Sequence, residues 1–229
     1  MGNLEYIRNT PPTCHSLFPS PLWKHQTDKI DNRKLEKVIL ERERKDKGVT
    51  FNNVDGYKSP HINLEEEKEF KCIYNYIKEC MGLIIYASNY KPTLGIKSHY
   101  GWANINRKGD LNREHVHADA DWSATYYVKT HANCGNIRLH NPIVASLMAD
   151  TYNLLNLGEN NFKTALSTPE SFFRNSFNLD SISFDPFEGT LLIFPSWFFH
   201  SVDQNKSEYP RISISCNIKI GIPKGKVNE

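Results

Sequence analysis

Between residues 115 and 121 the chain reads His-Val-His-Ala-Asp-Ala-Asp, a dense run of metal-ligating side chains. On an extended strand alternate side chains share a face, so His115, His117, Asp119 and Asp121 can all project the same way. His117-x-Asp119 then offers an imidazole nitrogen and a carboxylate oxygen from adjacent same-face positions. Two imidazoles and one carboxylate on a single face, with the opposite positions open, is the donor set that non-haem iron(II) uses. The second imidazole must come from elsewhere. His200 is the candidate, at the end of Leu-Leu-Ile-Phe-Pro-Ser-Trp-Phe-Phe-His, residues 191–200. His115 and Asp121 leave other sets open, above all His115, His117 and His200 with Asp119 behind them.

A second group follows His200. In Arg211-Ile212-Ser213-Ile214-Ser215-Cys216-Asn217-Ile218 the even positions are apolar, and the odd ones carry a guanidinium, two hydroxyls and an amide. A plain core strand does not need Arg on one face. The planar fork of a guanidinium matches a carboxylate, and a serine hydroxyl adds a donor. Arg211 with Ser213 therefore suits the distal carboxylate of 2-oxoglutarate, whose keto-acid end chelates a metal. Upstream, Asn104 sits on a strand face with Trp102, either packed in the core with a satisfied amide or lining a co-substrate pocket. Tyr127 shares parity with Ser123 and Thr125, so its hydroxyl, not that of Tyr126, is expected inside.

The order His-x-Asp, distal His, Arg-x-Ser resembles the iron(II)/2-oxoglutarate-dependent oxygenase superfamily. The segments W-x-N (102–104), N-x-x-H-x-H (112–117), S-x-x-Y-Y-V (123–128), G-T-L-L-I-F-P-S-W (189–197) and R-I-S-I-S (211–215) are similar, more closely, to a group of 2OG-Fe(II) oxygenases found in bacteria and phages. The resemblance spans roughly residues 95–220. It implies a double-stranded β-helix, a jelly roll or cupin-like barrel, with Fe(II), 2-oxoglutarate and O₂ at its mouth. It also implies His117, Asp119 and His200 as iron ligands, and Arg211 and Ser213, with Asn104 and Tyr127, around the co-substrate. The implied activity is a dioxygenase that hydroxylates an unactivated C–H bond of a small-molecule or amino-acid-like substrate, releasing succinate and CO₂. In that group a proline follows the second histidine; here Ala118 does. Two other readings stand beside it. A cupin-like metal protein fits Gly109 followed by His115-x-His117, but leaves Arg211-x-Ser213 unexplained. A non-catalytic jelly-roll binding module would treat the His-Asp cluster as surface polarity.

The elements that must position these groups are legible in outline. Residues 11–27 are proline-rich and extended. Asp31 or Asn32 caps a helix through 34–47, ended by Gly48, with Leu35, Val38 and Ile39 on one stripe. Asn63 with Glu66 reads as a capping box opening a second helix through Phe70, Ile73, Tyr74, Ile77 and Met81. From about residue 91 short β-branched and aromatic runs separated by turns predict strands at 95–106, 113–118, 123–130, 135–140, 182–185, 189–195 and 210–219. That pattern indicates an antiparallel sandwich or barrel, mainly β, with N-terminal helices bracing it. We read 1–229 as one domain: a 1–90 flank, a 91–220 core, and a 141–180 insertion holding two short helices.

Composition bounds the function class. The chain has 229 residues, 28 Lys+Arg against 26 Asp+Glu, and 39% hydrophobic residues. Its mean hydropathy is −0.57 and its pI about 8.2. A strongly basic nucleic-acid binder, a membrane protein and a disordered chain are all disfavoured. The five cysteines are scattered with no C-x-x-C pair, which suits a reducing compartment and, with no apolar leader, a cytoplasmic protein. Bracing the barrel is the simpler use of the N-terminal helices, a homodimer interface the other.

Overall fold

The computed structural model describes residues 20–49, 53–142 and 181–223. The two helices expected within 141–180 lie outside the described residues. Eleven strands and two helices follow in the order β1 (Trp23–Gln26), α1 (Asn32–Lys45), β2 (Asn53–Val54), β3 (Tyr57–Lys58), α2 (Lys71–Ala87), β4 (Gly95–Asn106), β5 (Leu111–His115), β6 (Trp122–Lys129), β7 (Ile137–His140), β8 (Ser181–Phe184), β9 (Thr190–Pro195), β10 (His200–Val202) and β11 (Arg211–Gly221). They form a six-stranded sheet, β1-β9-β6-β11-β4-β3, and a five-stranded sheet, β2-β5-β10-β7-β8. All the strand pairs are antiparallel. This is the mainly β, jelly-roll architecture expected.

Each strand of the larger sheet divides its side chains by parity. Ala103 and Ile105 of β4, Ala124, Tyr126 and Val128 of β6, and Ile212, Ile214, Cys216 and Ile218 of β11 enter one apolar core with Leu35, Ile39, Ile73 and Ile77 of the helices. The helices therefore cover the outer face of this sheet, and its inner face is left for chemistry. A second, smaller core lies between the sheets, where Tyr127, Ile137, Leu139, Leu192, Phe194 and Phe198 meet.

Helix α1 begins as its sequence dictates: Asp31 accepts a hydrogen bond from the Lys34 backbone N–H, the usual N-cap contact. The second helix differs from expectation. Asn63 does cap a turn, its Oδ1 accepting from the N–H groups of Glu65 and Glu66, with the reciprocal bond made by Glu67 to the Asn63 N–H. The helix proper starts only at Lys71. Between them Leu64 and Phe70 are drawn into the core, and Ile62 bridges to Gly101 of β4. Docking this segment on β4 overrides helix propagation from the cap. A Cβ at Gly101 would lie 2.7 Å from the Leu64 Cγ, so the close approach requires glycine there. Among the described residues no helix is long and apolar enough to cross a membrane.

Candidate active site

The inner faces of the two sheets enclose a cavity reached by Trp102, Asn104, His117, Tyr127, His200 and Arg211, among others. At one end three histidines converge: single ring nitrogens of His115, His117 and His200 all lie within 4.8 Å of one another. Strand register explains two of them. His200 of β10 is paired directly with His115 of β5, so both project from the same face, and their ring centroids are 4.2 Å apart.

Hydrogen bonding fixes how these two rings present themselves. The Nδ1 of His115 is 2.7 Å from the Arg113 carbonyl, and the Nδ1 of His200 is 2.9 Å from the Phe198 carbonyl. A carbonyl can only accept, so each Nδ1 carries the proton and each Nε2 keeps its lone pair, the tautomer a metal ligand needs. All three rings stay neutral near pH 7. Burial, helped by the charges of His200, His115 and Lys58, pulls His117 down to about 3. Burial and His115 pull His200 down to about 4, and burial lowers His115 as well. Three neutral imidazoles this close together are a donor set that would hold a divalent first-row metal ion.

The expected ligand Asp119 is placed differently. Strand β5 stops at His115, because the chain then crosses from the five-stranded to the six-stranded sheet. The His117 N–H donates to the Ser196 carbonyl, and a turn closes when the Ala120 N–H donates to the His117 carbonyl. Asp119 sits on that turn, exposed, and is outside the three-histidine group. Asp121 is exposed and accepts from the Ile220 N–H at 2.8 Å, which ties the crossover to the end of β11. The even spacing His115, His117, Asp119, Asp121 is thus not the face of one continuous strand.

Arg211, Ser213, Asn104 and Tyr127 all reach the same cavity. Arg211 is buried, and its Nη1 donates to the carbonyls of Cys134 and Gly135 at 3.0 and 2.7 Å. These bonds hold the guanidinium in place with its other nitrogens free to meet a ligand. Ser213 pairs with Asn104 on one side and Tyr127 on the other, so the three form a row across β4, β11 and β6, facing inward. Asn104 is anchored by donating to the Ser215 Oγ at 3.1 Å. Burial pushes Tyr127 up to about 12, so it remains a neutral hydroxyl donor beside Arg211. Tyr126, of opposite parity, is in the outer core and donates to Asn32 at 2.7 Å.

One residue beside the site had no signal in the sequence. Lys58 belongs to the two-residue strand β3, too short to show a pattern, yet its pairing with Asn104 turns it to the inner face. Its Nζ lies 4.5 Å from the centroid of the Trp102 ring, which is itself 5.5 Å from the ring of His117. Only the strand register across the sheet brings it there. Trp197 and Phe199 beside His200 are about half exposed, whereas Phe198 is buried between the sheets.

The fold and the sequence were compared with known proteins. No curated protein matches the sequence. Among solved structures, the chain is similar to a Pseudomonas putida prolyl-4-hydroxylase, with TM-score 0.55 and 11% identity over 87% of this chain and 92% of that one. It is similar to a Trichoplax adhaerens prolyl hydroxylase in complex with a hypoxia inducible factor peptide fragment, with TM-score 0.53 and 12% identity over 86% and 83% of the two chains. It is also similar to HygX from Streptomyces hygroscopicus, solved with nickel and 2-oxoglutarate bound, with TM-score 0.51 and 12% identity over 90% and 84%. These likenesses establish the fold. The family model described as "Putative 2OG-Fe(II) oxygenase" matches residues 100–217, over half of the chain and a span that includes all three histidines and Arg211. The chain belongs to this 2OG-Fe(II) oxygenase family, which implies Fe(II), 2-oxoglutarate and O₂ as its reaction partners.

Proposed function

We propose that the protein hydroxylates an unactivated C–H bond of a small-molecule or amino-acid-like substrate, and that His115, His117 and His200 hold the iron. The observation that carries the ligand assignment is the convergence of these three rings, two of them locked by backbone carbonyls in the tautomer that exposes Nε2. When bound, Fe(II) with 2-oxoglutarate and O₂ supplies the oxidant that converts a C–H bond to C–OH, with release of succinate and CO₂. The rest is the work of the chain. Arg211 takes the distal carboxylate of 2-oxoglutarate, with Ser213 and Tyr127 as hydroxyl donors beside it. Asn104, fixed by Ser215, walls the co-substrate. Phe194 and Ile137 exclude water along the cavity wall, and Trp102 closes the side next to His117.

Fe(II) uptake tests the ligand set. His115→Ala and His200→Ala are each expected to abolish tight uptake with the fold intact, and Asp119→Ala to retain it, because Asp119 is exposed on a turn outside the three-histidine group. Loss of uptake in Asp119→Ala, with uptake kept in His115→Ala, would return the carboxylate to the ligand set.

A further inference from the structure

We propose that Asn217 and Tyr100 are the substrate's recognition pair, so that the enzyme acts on a neutral molecule that carries an aromatic ring with a carbonyl oxygen beside it. This deepens the proposed function and rests on the reading of the cavity as an iron and 2-oxoglutarate site. The first observation is the order of rows on the inner face of the larger sheet. Asn104, Ser213 and Tyr127 form one row, Trp102, Ser215 and Thr125 the next, and Tyr100, Asn217, Ser123 and Phe194 a third. The rows step away from Arg211. Asn217 is six residues further along β11, about 20 Å of extended strand. The third row faces the histidines, since the Phe194 ring centroid is 5.1 Å from that of His200. A co-substrate anchored at Arg211 is met by the nearer rows, which leaves the third for the substrate.

The second observation is an unspent donor. In the middle row the Ser215 hydroxyl accepts from Asn104 and meets the Thr125 hydroxyl at 3.4 Å, so these groups answer one another. Asn217 differs. Its Oδ1 accepts from the Ser123 hydroxyl at 3.3 Å, which fixes the amide, while its Nδ2 makes no hydrogen bond among the described residues. Both Asn217 and Ser123 line the cavity. Two N–H groups are therefore available to an acceptor on the ligand. Among the described residues lining the cavity, Arg211 is the one cation and there is no Asp or Glu. With Arg211 directed to the co-substrate, the side chains left for the substrate are neutral. A carbonyl oxygen satisfies an amide donor without bringing a charge that the third row has nothing to balance.

The third observation is the ring beside that donor. Tyr100 is the direct cross-strand partner of Asn217, so the two side chains stand next to each other on one face. His61 stacks on the Tyr100 ring, with centroids 4.4 Å and planes 6° apart, which holds the ring flat. The ring nevertheless stays nearly half exposed, whereas Trp102, 5.7 Å away, is buried and reaches the cavity. A braced aromatic platform thus adjoins the amide donor on the solvent side of the cavity, able to take a planar ring by stacking.

Calorimetric titration of the protein, loaded with Ni(II) and then saturated with 2-oxoglutarate, tests this without turnover. Benzamide carries both features, aniline keeps the ring without the carbonyl, and cyclohexanecarboxamide keeps the carbonyl without an aromatic face. Benzamide is expected to bind with millimolar affinity, at least about threefold tighter than either control. Asn217→Leu is expected to weaken benzamide at least about threefold and to leave aniline within about twofold. Asn217→Asp, which keeps the bond from Ser123 but loses the donors, is expected to weaken benzamide likewise. Tyr100→Ala is expected to weaken benzamide and aniline alike. Failure of benzamide to bind the loaded wild type, or binding unchanged in both Asn217 variants or in Tyr100→Ala, overturns the proposal. A tenfold loss of 2-oxoglutarate affinity in both Asn217 variants also overturns it, since Asn217 would then serve the co-substrate. A wild type that takes up neither Ni(II) nor 2-oxoglutarate sinks the oxygenase-site reading and this proposal with it. That outcome is read in the first two titrations, before any probe is added.

Discussion

Arg211 is a cation sealed from water, and its chemistry depends on how few of its donors the protein consumes. Nη1 is spent on the Cys134 and Gly135 carbonyls. Burial lowers its pKa, the direction expected when a charge is removed from water. A carboxylate meeting the remaining donors gains charge-assisted hydrogen bonds of about 1.5–3 kcal/mol. Arg211→Met is therefore expected to weaken 2-oxoglutarate binding about 10- to 150-fold. Fe(II) uptake should be unchanged, because the histidines lie at the other end of the cavity. Calorimetry of both ligands checks the pair of effects. Equal co-substrate affinity in the variant and the wild type would remove Arg211 from the site. Parity was legible in the sequence: it grouped Arg211 with Ser213 and set Tyr127 apart from Tyr126, and the two tyrosines do lie on opposite faces, whereas for Asn104 a core amide fitted the pattern as well as a cavity residue. His115 against Asp119 was not decidable from residue types, since both fit a same-face pattern and both ligate metals.

At the scale of elements, what parts His115 from Asp119 is the crossover between sheets. A local pattern of alternating donors says nothing about where a strand must end to reach the other sheet. It was the pairing of His115 with His200, and the turn at 117–120, that separated the histidines from the carboxylate. The same limit hid Lys58, whose inward aim comes from a two-residue pairing with β4. Long strands were legible because their periodicity is long: 95–106 is β4 to the residue. Strands β2, β3 and β10 are too short to carry a period, and the second helix begins later than its capping signal because tertiary packing of Leu64 and Phe70 intervenes. Gly135 sits where the loop meets Arg211. Its φ is +89°, and a Cβ there would lie 2.2 Å from the Asp203 carbonyl oxygen and 3.0 Å from the Arg211 Nη1. Gly135→Ala is expected to destabilise the fold by at least about 1–3 kcal/mol from backbone strain alone. It should also weaken 2-oxoglutarate binding by shifting the carbonyl that holds Arg211. Chemical denaturation and co-substrate titration of the same variant check the two effects, and native values for both would show the loop to be tolerant.

Across the whole molecule, one large sheet serves two masters. Its outer face is sealed by α1 and α2, and its inner face carries the polar row and the cavity. The rigid outer packing holds the inward side chains at fixed spacings, which suits a site whose donors must meet a metal and a co-substrate together. The join between helix and sheet includes a hydrogen bond from the Tyr126 hydroxyl to Asn32. Burial pushes Tyr126 up to about 12, above the ordinary value near 10. A raised folded-state pKa means that this stabilisation is complete below about pH 10 and is lost as pH climbs through 12. The denaturation midpoint should accordingly fall between pH 10 and 12, and fall less steeply in Tyr126→Phe. An identical slope in the two proteins would show that the tyrosine does not contribute to alkaline unfolding.

A three-histidine iron site and an arginine-anchored co-substrate sharing this cavity are the core of the proposed function. Anaerobic visible absorbance tests it most directly, with Fe(II) and then 2-oxoglutarate added to the wild type, His115→Ala and Asp119→Ala. A weak charge-transfer band is expected in the wild type and in Asp119→Ala, present only when both ligands have been added, and no band in His115→Ala. A wild type that takes up iron without developing the band, or a band that survives in His115→Ala and vanishes in Asp119→Ala, would contradict it.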